Sequence, residues 1–187
     1  MNQELASQPV VESLRFGGID SEILAKWLLV QRTDFWGDSL PNTVQIRGDG
    51  NVIQIDVFGY ERPDANDEYD ANWLRAKCSV TVAEFSAILS LALVTRDFAR
   101  FADELEQAVQ LLKGTAAFST VEAGLGIEIK FTTAGHAEVF GSARSQTSFV
   151  PDQSVLSFSF ETDQTYLAQS VRELKAIVSR FPVRNPR

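Results

Sequence analysis

Three runs of residues between positions 51 and 93 alternate apolar and polar side chains with a period of two, and no other feature restricts the fold as tightly. In Asn51–Phe58, the residues Ile53, Ile55 and Val57 alternate with Gln54 and Asp56. In Trp73–Val82, Leu74, Ala76, Cys78, Val80 and Val82 share one face, and Arg75, Lys77, Ser79 and Thr81 the other. In Phe85–Leu93, Phe85, Ala87, Leu89, Leu91 and Leu93 lie together. A strand turns successive side chains to opposite faces, so each run predicts an antiparallel strand with one face on a core. The period then changes. Phe98, Phe101, Leu105, Val109 and Leu112 recur at helical spacing, the stripe of an amphipathic helix. Thr95 or Asp97 is placed to cap its start, and Gly114, after Lys113, to stop it.

The theme then repeats. Strands are predicted over Ala116–Val121, Gly126–Phe131, His136–Ala143 (entered through an Ala134-Gly135 turn) and Val155–Phe160. A second helix over Thr165–Arg180 turns Leu167, Val171, Leu174 and Val178 inward, with Asp163 placed to cap it and Phe181-Pro182 ending it. The segment Ser90–Thr95 before the first helix is echoed by Ser157–Thr162 before the second, the mark of an internal pseudo-repeat or of similar packing demands without duplication. The expected fold class is therefore α+β: curved antiparallel sheet with two main helices on one face, in a strands-then-helix order that occurs twice. Strands and helices do not alternate one to one, which argues against a parallel nucleotide-binding architecture.

Ahead of this unit, residues 1–50 read as an arm. Residues 1–15 are polar, Ile19–Val30 carries a helical stripe of Ile23, Leu24, Trp27 and Leu28, and residues 33–50, with Pro41, Gly48 and Gly50, read as a loop. The domain is expected over 51–187. A chain of 187 residues can bury one sizeable core, for which thirteen Phe and three Trp supply material. Met1–Val10 lacks the features of a secretion signal, and the apolar runs at 88–94 and 108–112 are far shorter than the ~20 residues a membrane helix needs. The expectation is a cytoplasmic protein without a membrane partner. The net charge of −8 disfavours nucleic acid, whose binding draws on released counterions; it serves solubility alone or suits a basic protein partner.

Candidate chemistry is sparse. His136 is the only histidine and Cys78 the only cysteine, so a Ser-His-Asp or Cys-His arrangement would have to use one or both. On the strand pattern His136 faces solvent and Cys78 the core, where a thiol is inert. The inventory cannot furnish a zinc site. The glycines of Phe16-Gly-Gly-Ile19, Gly48-Asp-Gly50 and Gly124-Leu-Gly126 lack the spacing of a phosphate-binding loop. The reading is a binding protein without catalytic residues, metal or cofactor. The densest polar feature, Gly59–Trp73, holds Glu61, Asp64, Asp67, Glu68 and Asp70 against Arg62. It can be a solvated hairpin loop whose side chains bond their own backbone. A calcium loop built on Asp64, Asn66 and Glu68 lacks the central Gly and terminal Glu of the EF-hand pattern. The third alternative is a docking patch of Asp64, Asp67, Glu68, Tyr69, Asp70 and Trp73, with the aromatics as anchors amid charge.

In this loop and the segments after it, the chain resembles the WapI-type immunity proteins of bacterial toxin–immunity systems. The stretches that carry the resemblance are Gly59-Tyr-Glu-Arg-Pro-Asp64, Tyr69-Asp-Ala-Asn-Trp-Leu-Arg75, Thr95-Arg-Asp-Phe-Ala-Arg-Phe101, Gly135-His-Ala-Glu-Val139, Leu156-Ser-Phe-Ser-Phe-Glu-Thr-Asp-Gln-Thr-Tyr-Leu167 and Phe181-Pro182, together about residues 51–183. The resemblance implies a small cytoplasmic protein that binds and blocks a cognate toxin domain. Such toxins are often basic nucleases. It implies no catalytic residue. The competing reading is a homo-oligomeric structural or regulatory module that uses exposed sheet edges or the arm.

Overall fold

The computed structural model describes residues 42–145 and 154–185. The expected helix over Ile19–Val30 lies outside them. Two four-stranded antiparallel sheets, each followed by a helix, make up the described chain. The first sheet is a meander of β1 (Asn42–Gly48), β2 (Asn51–Tyr60), β3 (Trp73–Val82) and β4 (Phe85–Val94), and it leads into α1 (Thr95–Leu111). The second is a meander of β5 (Thr115–Ser119), β6 (Leu125–Phe131), β7 (His136–Arg144) and β8 (Val155–Asp163), and it leads into α2 (Gln164–Arg180). The α+β class and the strands-then-helix order that repeats are as the patterning predicts.

β1 corrects the expected loop over 33–50. Val44 and Ile46 are buried between Thr43, Gln45 and Arg47, and Gly48 pairs with Asn51 across an Asp49-Gly50 turn. Asp-Gly between alternating runs is a strong hairpin signal, with Gly50 taking the positive φ such turns require. The glycines and proline around a short strand concealed it. The first sheet thus begins at Asn42, not at Asn51.

Each helix serves the other half. α1 packs along β5, α2 along β1, and the helices against each other. An edge strand presents unpaired amides and carbonyls. On β1 they are met by α2: Glu173 Oε2 accepts the Gln45 N–H at 2.8 Å, and Ser170 Oγ donates to the Gln45 carbonyl at 2.6 Å. On β5, Glu104 Oε2 of α1 accepts the Ala117 N–H at 3.1 Å. Glu104 and Glu173 occupy the same position in their helices, so the edge contact recurs in both halves. The sequence echo sits two residues out of that register, since Thr95 opens α1 whereas Thr162 still lies in β8. Between the layers, Phe98, Phe101 and Leu105 of α1 and Leu167 and Leu174 of α2 are fully buried. Burial of each such side chain stabilises by about 1.5–3 kcal/mol.

The helix ends divide the sequence expectations. Asp163 caps α2 as predicted, with its carboxylate accepting the Thr165 and Tyr166 amides at 2.6 and 3.2 Å. Thr95 and Asp97 do not cap α1. Val94 holds the cap position without a side-chain bond, because Thr95 is already helical and its hydroxyl is committed to Asn72. The stop falls on Leu112, not Gly114: Leu112 takes the left-handed conformation (φ 49°) and is 41% exposed rather than part of the buried stripe. That conformation costs a side chain about 1–2 kcal/mol. Leu112→Gly is expected to stabilise the protein and raise Tm by about 2–4 °C for a domain of this size. An unchanged or lowered midpoint in thermal unfolding would count against it.

The predicted apolar face of β4 is covered only near its end. Leu91 and Leu93 are buried, Ala87 and Leu89 half-buried, and Phe85 is 65% exposed.

Candidate functional site

The loop between β2 and β3 is built from both directions. A β-bulge between Val57 and Gly59 shifts the end of β2 relative to β3, and Gly59 adopts φ 150°. The Glu61 N–H donates to the Trp73 carbonyl at 2.8 Å and closes the base. Asp67 Oδ1 accepts the Asp70 N–H at 2.8 Å and starts a 3-10 turn over Asp70–Asn72. This is the side-chain-to-backbone bonding expected of a polar loop.

Asn72 is the hub, and sequence reasoning did not single it out. The residue is 4% exposed, and its side chain uses its full capacity of two donated and two accepted bonds. Nδ2 donates to the carbonyls of Glu68 at 2.7 Å and Arg184 at 2.8 Å. Oδ1 accepts the Thr95 hydroxyl at 2.9 Å and the Arg184 N–H at 2.8 Å. One amide thereby ties the loop to the start of α1 and to the chain after α2. That last segment is itself strapped down. The Tyr60 hydroxyl donates to the Pro182 carbonyl at 2.6 Å, and its ring meets Phe181 edge-on at 5.7 Å. The Arg184 guanidinium lies 4.7 Å from the centre of the Tyr60 ring and donates to the Pro63 carbonyl at 2.6 Å. Burial raises the Tyr60 phenol above its ordinary value, and Arg184 opposes the shift.

On this frame the predicted docking residues sit together, in different circumstances. Tyr69 is 67% exposed and stands edge-on to Trp73 at 5.5 Å. Trp73 is half-buried and opens β3 opposite Val94. Asp64 and Asp67 are exposed. Glu68 and Asp70 are not bare charges: Arg96 pairs with Glu68 and Arg62 with Asp70. Counting bases within the loop alone could not reveal Arg96 and Arg184, which α1 and the final segment bring to it. Such exposed pairs contribute at most about 1 kcal/mol each, but they fix where the carboxylates point. Grooves flank Tyr69 on both sides, one beside Arg62 and Glu122, the other beside Val94 and Arg96.

Cys78 and His136 are not brought together. Cys78 lies inward on β3, where burial, with the Asp56 carboxylate adding to it, pushes the thiol up to about 12. His136 is exposed at the start of β7 in the other sheet. Among the described residues no group of three or more His, Cys, Asp or Glu is arranged to hold a metal ion, and no helix is long and apolar enough to cross a membrane.

Two solved structures share features of the chain. A chain of the CdiA-CT/CdiI toxin and immunity complex from Enterobacter cloacae is 11% identical, with 55% of this chain and 88% of that one covered at a TM-score of 0.36. A chain of MRP1/MRP2 from Trypanosoma bruciei is 12% identical, with 91% of this chain and 98% of that one covered at a TM-score of 0.43. No curated protein matches the chain. The family model described as the immunity protein WapI-like family matches residues 44–182, from within β1 to just past α2. Both sheets and both helices are thus accounted for by one family, and the chain belongs to the WapI-like immunity proteins.

Proposed function

We propose that this chain is a toxin-neutralising immunity protein that acts in the cytoplasm by stoichiometric binding, with the β2–β3 loop as its contact surface. The family match across the whole two-sheet unit carries the reading. The loop supports it physically. Its backbone is held by Asn72 and the Arg184 strap before any partner arrives, so little ordering entropy is lost on binding. Tyr69 and Trp73 supply apolar area of the kind that dominates interface energies. The net charge of −8 favours encounter with a basic toxin domain, such as a nuclease. Of the six docking residues, Asp64 and Asp67 steer the approach, Tyr69 and Trp73 anchor, and Glu68 and Asp70 brace the loop through Arg96 and Arg62.

The test uses the toxin domain encoded beside this chain's gene, assayed for one-to-one binding and for protection of growth. Tyr69→Ala is expected to weaken binding by about thirtyfold or more, mainly through faster dissociation, as loss of a central aromatic anchor does. The double reversal Asp64→Lys/Asp67→Lys is expected to slow association by about tenfold at low salt and to flatten its salt dependence. Wild-type rates in both variants would move the interface off this loop. Failure of the wild-type chain to protect would end the immunity reading itself.

A further inference from the structure

Among the described residues the two sheets have four edge strands, and three of them make side-chain hydrogen bonds to other elements of this chain. α2 meets β1, α1 meets β5, and β8 meets β1 where the Thr162 hydroxyl donates to the Arg47 carbonyl at 2.5 Å. β4 is different. Its ten residues, Phe-Ser-Ala-Ile-Leu-Ser-Leu-Ala-Leu-Val, include no charge and no proline. Its register with β3 runs through ten consecutive pairs without a bulge. Exposed edges are ordinarily blunted by lysine, proline, a bulge or a covering element, and a long apolar edge without them is a template for another strand. Apolar side chains are also presented on both faces: Phe85 on the inner face and Ile88, 42% exposed, on the outer.

We propose that β4 is a self-association edge, on which a second copy of this chain adds its own β4 antiparallel about a twofold axis. The strand is self-complementary. With Ile88 on the axis, Ala87 faces Leu89, Ser86 faces Ser90, and Phe85 faces Leu91. Like therefore meets like on each face, and Phe85 of one copy covers the half-exposed Leu89 region of the other. Charge selects the same edge. Two chains that each carry −8 repel as a whole, whereas paired β4 strands place no charge opposite another across the seam. The pairing occupies Phe85–Leu91. The β2–β3 loop adjoins the opposite end of β4, where Trp73 pairs with Val94, and stays open. The inference does not rest on the toxin reading.

Sedimentation velocity on the full chain, from about 1 to about 100 µM, tests it, since a dimer responds to concentration by mass action. Wild type is expected to shift from monomer to dimer across that range. Ser86→Lys/Ser90→Lys places charge at exposed positions of the edge and is expected to weaken self-association more than tenfold, with the circular dichroism spectrum unchanged. If that variant misfolds, Ile88→Thr keeps strand propensity while removing the apolar contact on the axis, and it is expected to give the same shift toward monomer. A wild-type monomer throughout, or a dimer indifferent to these changes, overturns the proposal. A monomeric wild type whose lysine variant loses toxin neutralisation also overturns it, and gives the edge to the toxin.

Discussion

Gly48→Ala is expected to destabilise the protein by about 3 kcal/mol or more, a large share of the ~5–15 kcal/mol by which domains are ordinarily stable. Gly48 ends β1 where β8 crosses it. A Cβ there would sit 2.0 Å from the Glu161 carbonyl oxygen and 2.6 Å from the Phe160 ring. The ring can turn aside, but the carbonyl belongs to a strand already paired with β7, so the crossing itself must open. Gly126→Ala is the control, since its Cβ would approach nothing closer than Ser142 Oγ at 3.4 Å. Urea unfolding of the two variants beside wild type separates the cases. Equal midpoints would show that the sheets give way more easily than close packing allows.

Asn72→Ala is the second large effect, expected near 3 kcal/mol. The substitution removes four hydrogen bonds and strands the carbonyls of Glu68 and Arg184 and the Thr95 hydroxyl, where each unsatisfied buried group costs about 1–3 kcal/mol less whatever water can restore. The location of the damage is the sharper expectation. Hydrogen exchange should accelerate over 61–72 and at Arg184, while the β6–β7 ladder of the second sheet keeps its protection. A uniform loss of protection, or a loss of stability under about 1 kcal/mol, would show that the amide is not the hub.

The fold was legible in the sequence wherever a pattern ran long. Seven of the eight strands and both helices follow from alternation and helical stripes, and Asp163 was found as a cap because its oxygen bonds amides two and three residues away. Local logic failed where the deciding partner was remote. Thr95 has a capping residue's chemistry, yet its hydroxyl serves Asn72, 23 positions earlier. Leu112 continues the apolar stripe by spacing but falls where the helix has already turned away. The residues proposed for docking are singled out by composition. Their electrostatic condition cannot be read that way, because Arg96 and Arg184 arrive from other elements. Asn72 shows the limit most clearly: an asparagine among many polar neighbours carries no mark of burial, and its partner Arg184 lies 112 positions away.

The exchange of helices between the halves bears on how the polypeptide comes off the ribosome. The leading sheet is complete in its own strands once Val94 has emerged, but Gln45 stays bare until Ser170 and Glu173 have been made. Neither half closes its first strand's edge with its own helix, so native protection of Gln45 is expected only after the last helix has docked. A fragment cut between α1 and β5 would expose β1 as well as β4, and would recover its native edge only when the missing half is supplied in trans.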